Sequence, residues 1–282
     1  MRLECRLIKH EEYAEAKRLW AICFPEDGDA FIDYYYAKRT DPSHIYGAFG
    51  GSKMLCMMHI IPQLLKLNCE TKPVALIAGI GTLPEFRRKG VCRELFSHIF
   101  SELYKKGYTA LLLQPFNVDF YRQFGFEPFV RHQRVSFSSK AVAPISSPCP
   151  LSPGELFSLY SSHVVEKFPI AVRRTPEYCS KLIEEFSTFG YALRCGDAYA
   201  LGYGSYVQEL AGSLSCKNRL LSHLALKYGM LTAPFPYKPG APSLEVFNMI
   251  KVLSKQAFLL GTGFSSINEL TDPTLSFILD KY

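Results

Sequence analysis

Residues 79–96, GIGTLPEFRRKGVCRELF, decide how this chain is read. They join an apolar run, residues 74–80, to a segment in which Val91, Leu95, Ile99 and Leu103 recur every four residues with Phe96 and Phe100 beside them. The first pattern is that of a strand buried on both faces, and the second is that of an amphipathic helix. Between them lies the basic turn Arg87-Arg88-Lys89-Gly90. The first N–H groups of a helix have no partner inside it, and the helix dipole makes that end electropositive. Arg87, Arg88, Lys89 and Arg93 add positive charge there, and Gly90 lets a ligand reach the backbone with no Cβ in its way. The stretch predicts a site for an anion the size of a pyrophosphate, cradled by the turn and by Val91, Cys92 and Arg93. Two other phosphate-binding turns are excluded, because neither GxxxxGK[ST] nor GxGxxG occurs. For the basic triplet alone, a solvated helix start is the plainer alternative.

Outward from this centre, the pattern predicts alternating helices and strands. Upstream, residues 11–23 carry a helical stripe, residues 29–39 read as a second short helix, and 45–49 and 54–61 read as a hairpin around Gly50-Gly51. Downstream, Lys105-Lys106-Gly107 ends the long helix with cations and then glycine. Residues 109–113 are a buried strand, 117–124 a short helix stopped by Gly125, and 130–137 a strand. Residues 138–153, SSKAVAPISSPCPLSP, hold five Ser among their prolines with almost no charge and read as a linker. Beyond it, 153–160, 175–186 and 217–228 read as helices, and 191–195, 198–203 and 205–209 as strands. Residues 244–253 fit helix and strand equally, and 275–279 read as a last strand.

The quoted stretch resembles the acetyl-CoA-binding signature of the GNAT superfamily of N-acetyltransferases, [RQ]xxGx[GA], which follows a strand and opens a helix. Arg87 and Gly90 match it, and Cys92 stands where Gly or Ala is usual. A second stretch, Asp119-Phe120-Tyr121-Arg122-Gln123-Phe124-Gly125-Phe126, resembles the FYxxxGF element after the fifth strand of these enzymes, in the form found in the Eis (enhanced intracellular survival) family. Residues 170–212 are similar to that family's central lobe, and its sterol-carrier-like part has no counterpart here. The resemblance implies an α/β (mixed α+β) fold with a central mixed sheet flanked by helices. It implies a catalytic domain over 1–137, the linker 138–153, and a degenerate GNAT-like second lobe over 154–282 with no second cofactor site. It further implies that backbone groups of Ile80, Gly81 and Thr82 pair with the pantetheine arm of acetyl-CoA and that those of residues 88–93 hold the pyrophosphate. Residues 114–117, Asn117 included, would line the far side.

By the same resemblance, Tyr121 protonates the departing CoA thiolate. The chemistry is sound without the family, since a phenol of pKa about 10 stays protonated at neutral pH and can donate. The plain alternative is an aromatic packed in the core, although Phe120 and Phe124 look better suited to that. The base that deprotonates the acceptor is open between the Tyr282 carboxylate, His59, Glu85 and none. Tyr34-Tyr35-Tyr36 would either line an acceptor pocket or simply pack. The resulting expectation is an acetyl-CoA-dependent N-acetyltransferase acting by direct attack of a small-molecule or peptide amine. The competing readings are a non-catalytic acyl-CoA-binding sensor, or transfer of another acyl group or to a peptide N-terminus.

Composition narrows the rest. The 282 residues are 48% hydrophobic and 14% aromatic, enough for a sizeable core and far from disorder. The net charge of +6 sits mainly in residues 1–140, which carry 20 basic and 15 acidic side chains. A nucleic-acid surface would be more basic and more clustered, so no nucleic-acid partner is expected. The nine cysteines include no CxxC pair, and the seven histidines include no paired spacing, so no metal site and a reduced, cytoplasmic setting are expected. A charged N-terminus and the lack of any apolar run of about 20 residues argue against a leader or a membrane span. The oligomeric state is left open, a homo-oligomer included.

Overall fold

The computed structural model describes residues 2–138, 148–235, 245–272 and 274–276. Most of the stretch read as a linker, the end of the predicted strand at 275–279, and Tyr282 lie outside these residues. The first half runs β1 (Glu4–Leu7), α1 (Tyr13–Cys23), α2 (Gly28–Tyr34), β2 (Ile45–Gly50), β3 (Lys53–Leu67), β4 (Glu70–Thr82), α3 (Val91–Lys105), β5 (Ala110–Leu113), α4 (Val118–Arg122) and β6 (Glu127–Phe137). The second runs β7 (Cys149–Pro150), α5 (Pro153–Tyr160), β8 (Ile170–Arg173), α6 (Pro176–Phe189), β9 (Tyr191–Cys195), β10 (Ala198–Tyr203), β11 (Tyr206–Ala211), α7 (Leu214–Tyr228), β12 (Leu231–Phe235), β13 (Glu245–Val252) and α8 (Lys255–Leu259). This is the mixed α/β architecture expected from the sequence.

One sheet runs through the whole molecule in the order β1-β2-β3-β4-β5-β13-β6-β12-β11-β10-β9-β7, with β8 on the free edge of β3. β3 and β4 form a long hairpin across Asn68-Cys69, where Asn68 takes the left-handed conformation that Asn tolerates. Pro62 interrupts β3 without harm. It lies between the pairing of Ile45, the first residue of β2, with His59 and the pairing of Arg173, the last residue of β8, with Leu64.

Within the stretch 244–253, ambiguous by pattern, Glu245–Val252 form β13, and its place is the main surprise. It is inserted antiparallel between β5 and β6, so the second half of the chain returns a strand to the first sheet. β6 joins the lobes directly, pairing with β13 through residues 127–132 and with β12 through 133–137. The cores are joined as well. One apolar cluster unites Leu65, Leu76 and Leu112 with Leu156, Tyr160 and Leu182 of α5 and α6. Each such side chain stabilises the assembly by about 1.5–3 kcal/mol.

Apart from β8, which is inserted between α5 and α6, the second half repeats the order of the first. β7, α5, α6, β9, β10, β11, α7 and β12 follow the sequence of β1, α1, α2, β2, β3, β4, α3 and β5. As β4 and β5 pair in parallel around α3, so β11 and β12 pair in parallel around α7. The two central helices start differently. α7 is preceded by Ser213, whose hydroxyl donates to Asp197 at 2.6 Å, and this contact holds the Asp197 carboxyl below its usual pKa. A carboxylate of the protein itself therefore sits where α7 would attract an anion.

Candidate active site

The site begins where β4 and β5 part. They pair only over residues 74–77 and 110–113, after which β4 continues to Thr82 while β5 stops. At the same level β4 carries an extra residue, since Met57 faces Gly81 while His59 faces Ala78. Gly79 makes this bulge possible. Its φ is +55°, and a Cβ there would lie 2.4 Å from the Trp20 ring. Beyond β4, a single turn at Pro84–Phe86 leads into Arg87 and the start of α3.

That start is exposed to solvent. Arg88, Lys89 and Gly90 are all exposed, and α3 has no side-chain cap. Arg88 and Gly90 both have positive φ, +60° and +82°. The first is a conformation costly for a side chain; the second explains the glycine. A Cβ on Gly90 would meet nothing within 4 Å, so the space above the turn is open. A cleft of about 1190 Å³ occupies it, running from Arg87, Arg88 and Gly90 past Val91–Arg93 and along Ile80, Gly81 and Thr82 to Gln114, Phe116 and Tyr121.

Two residues expected at the cleft are turned to other tasks. The Asn117 side chain caps α4, accepting from the Phe120 N–H at 3.0 Å. The Lys89 ammonium lies over the Phe86 ring. Neither lines the cleft. Arg87 folds back, its Nε donating to the Thr82 carbonyl at 3.1 Å, and Arg93 reaches Gln123 at 2.7 Å, tying α3 to the segment after α4. The replacement of a smaller residue by Cys92 leaves the helix start intact.

Tyr121 is 3% exposed, while Phe120 is only half-buried. Spacing had favoured the reverse. The short helix turns Tyr121 between Phe116 and Phe126 and still leaves it lining the cleft. Burial, and then the neighbouring Cys92, raise its pKa above the ordinary phenol range, so the hydroxyl is held in its proton-carrying form. Phe116, 77% exposed, stands beside it at the rim of the cleft.

The groups considered as bases fare unequally. His59 is wholly buried, its Nδ1 within 3.2 Å of the Tyr35 hydroxyl and its Nε2 within 3.3 Å of the Tyr36 hydroxyl. Burial pushes its pKa down to about 3. Tyr35 and Tyr36 are thus packed on His59 and Trp20, and Tyr34 faces Phe189 of the second lobe. Glu85 is on the surface, paired with Lys53 at 3.0 Å. Sequence reasoning missed Cys23, Phe24 and Glu26, which line the cleft from the end of α1 and the turn that follows it. They belong to no motif, and only the packing of α1 against β4 brings them there. Among the described residues, no three His, Cys, Asp or Glu side chains are grouped to hold a metal ion, and no helix is long and apolar enough to cross a membrane.

The splayed pair of strands, the bulge and the exposed helix start together frame the cleft. Residues 4–129 match the family profile described as an acetyltransferase (GNAT) domain. Over these residues, somewhat under half of its length, the chain is similar to GNAT acetyltransferases. No curated protein matches it. Solved structures share its fold over nearly the whole length. A probable N-acyltransferase from Enterococcus faecalis superposes with TM-score 0.72 at 16% identity, covering 92% of this chain and 74% of that one. Eis1 from Mycobacterium abscessus gives 0.67 at 16%, covering 91% and 75%. A GCN5-related N-acetyltransferase from Kribbella flavida gives 0.68 at 17%, covering 91% and 72%. The matched GNAT segment ends at residue 129, before β13, the strand that the later chain supplies to the same sheet.

Proposed function

We propose that the protein transfers an acetyl group from acetyl-CoA to a primary amine in one direct step. The observation that carries this reading is a single cleft that joins the open N-terminus of α3 to the buried phenol of Tyr121. The amides of residues 88–93 would hold the cofactor's diphosphate, with Arg87 and Arg88 adding charge. The pantetheine arm would follow the free edge of β4 at Ile80–Thr82, where a backbone N–H polarises the acetyl carbonyl. The amine attacks the carbonyl carbon, the C–S bond breaks, and Tyr121 gives its proton to the leaving thiolate. The acceptor enters from the side of Phe24 and Glu26, and the Glu26 carboxylate draws a cation toward the cleft.

Two measurements test this short of the catalytic residue. Gly90→Val forces a β-branched side chain to φ +82° and fills the open space above the turn. Cofactor affinity should fall by about tenfold or more, given a cost of roughly 1–2 kcal/mol for a left-handed residue. Calorimetry with acetyl-CoA reads it, and unchanged affinity removes the turn from the cofactor site. Glu26→Gln should raise the KM of cationic acceptors found in an amine panel by about threefold to tenfold while leaving acetyl-CoA affinity alone. Equal KM values would place the acceptor elsewhere.

A further inference from the structure

Four of the nine cysteines, Cys5, Cys23, Cys56 and Cys92, meet in or against one apolar core, and acyl transfer uses none of their thiols. Cys5, Ala48, Cys56 and Thr82 form one row across β1, β2, β3 and β4. α3 packs over these strands and sets Cys92 beside Cys56, close enough for the two thiols to interact. The two sulfurs have opposite surroundings. Cys56 is fully buried and accepts a hydrogen bond from the Thr82 hydroxyl at 3.1 Å. Cys92 is half-buried and lines the cleft. One thiol of this neighbouring pair is therefore reachable by a small molecule, and the other is sealed in the core beneath it. The reachable one is the second residue of α3, within the helix turn whose amides face the cleft.

We propose that Cys92 and Cys56 are an oxidation site, closing to a disulfide when a hydroperoxide enters the empty cleft and thereby weakening cofactor binding. Cys92, as its thiolate, attacks one peroxide oxygen. The O–O bond breaks, hydroxide leaves and takes up the Cys92 proton as water, and Cys92 becomes a sulfenic acid. The Cys56 sulfur then attacks the Cys92 sulfur. The S–O bond breaks, and the departing hydroxide takes the Cys56 proton as a second water. Two thiols and one hydrogen peroxide give one disulfide and two waters. The bond holds its sulfurs about 2.05 Å apart, far closer than two thiols in contact. Drawing residue 92 toward β3 turns the first amides of α3 away from the cleft. The effect on the cofactor rests on the function proposed above; the disulfide does not.

The test uses the purified chain, reduced and then desalted. After hydrogen peroxide, proteolysis under non-reducing conditions should yield a peptide linking residues 56 and 92, with two hydrogens lost. Acetyl-CoA affinity by calorimetry should be weaker by about tenfold or more, and dithiothreitol should restore it. In Cys56→Ala no linked peptide forms, and the sulfenic acid trap dimedone labels Cys92. Saturating acetyl-CoA should protect wild-type Cys92. A link through Cys5 or Cys23 instead, two thiols that stay reduced, or an oxidised protein that binds acetyl-CoA as tightly as the reduced one overturns the proposal. Failure of the reduced protein to bind acetyl-CoA strikes the functional reading, while the linked peptide still reports on the thiols.

Discussion

Tyr121→Phe should lower kcat by about 100- to 10,000-fold, the usual contribution of a positioned general acid, and leave acetyl-CoA affinity nearly unchanged. The substitution removes one oxygen and keeps the ring. The ring is what packs against Phe116, Phe120 and Phe126, so neither the fold nor the cleft should move. What disappears is the proton for the leaving sulfur. Without it, CoA must depart as a bare thiolate into a partly apolar cleft. A loss in kcat without a change in cofactor affinity marks a group that acts in the transition state. The pH profile supplies a second readout. Because burial raises the Tyr121 pKa, the acid form should persist through alkaline pH, and an activity loss from its ionisation should begin only above the ordinary phenol value of about 10. Thiol release measured with an Ellman-type reagent, alongside calorimetry with acetyl-CoA, decides the matter. A phenylalanine variant that turns over at the wild-type rate takes Tyr121 out of the mechanism.

The sequence made the centre of this site readable because its signals are local. Val91, Leu95, Ile99 and Leu103 are spaced to face one side of a helix, and all four are buried. Gly90 stands where φ is positive, which a sequence states directly by choosing glycine. The strand at Ala110–Leu113 is uniformly apolar because the sheet is covered on both faces there. The limits of that reading are equally physical. β13 pairs with strands more than 100 residues earlier, and nothing local in residues 245–252 names its neighbours. β1, β7, β8 and β12 are short strands of two to five residues and carry too little pattern to be seen. Asn117 and Tyr121 show the limit of assigning roles by position. A residue ahead of a short helix is more useful as its cap than as a cleft wall, and one turn of α4 buries Tyr121 more deeply than Phe120. Glu26 reaches the cleft only through the tertiary path of the chain after α1. The unequal helix starts of α3 and α7 were half legible: the second lobe lacks the basic turn, while the carboxylate that fills its place, Asp197, comes from the loop between β9 and β10.

Arg174→Met should destabilise the protein by about 3–5 kcal/mol, the cost of stranding one partner of a buried ion pair. Arg174 follows β8, and its guanidinium lies 3.9 Å from the centre of the Tyr160 ring. It grips Glu209 of β11 with two parallel bonds, Nη1 to Oε1 at 2.8 Å and Nη2 to Oε2 at 2.6 Å. Both side chains are almost wholly sealed from water. The Tyr199 hydroxyl donates to Oε1 as well, at 2.5 Å. Two charges taken from water are stable here only because nearly every donor and acceptor is matched. Methionine keeps much of the volume over Tyr160 but removes the cation and its donors, leaving a carboxylate with one phenol for company. Removing both charges has a different consequence. Arg174→Met with Glu209→Leu leaves no orphaned charge, and most of the lost stability should return, since apolar replacement of a buried pair is often neutral. Urea unfolding of the two variants beside the wild type measures the difference. A single variant within about 0.5 kcal/mol of wild type, typical of surface positions, would mean that water reaches this pair. The same ion pair ties β8, which hydrogen-bonds to the first lobe through β3, to β11 in the heart of the second. A destabilised Arg174→Met protein should therefore lose the order of both lobes in one transition, because the sheet and the central apolar cluster run through both.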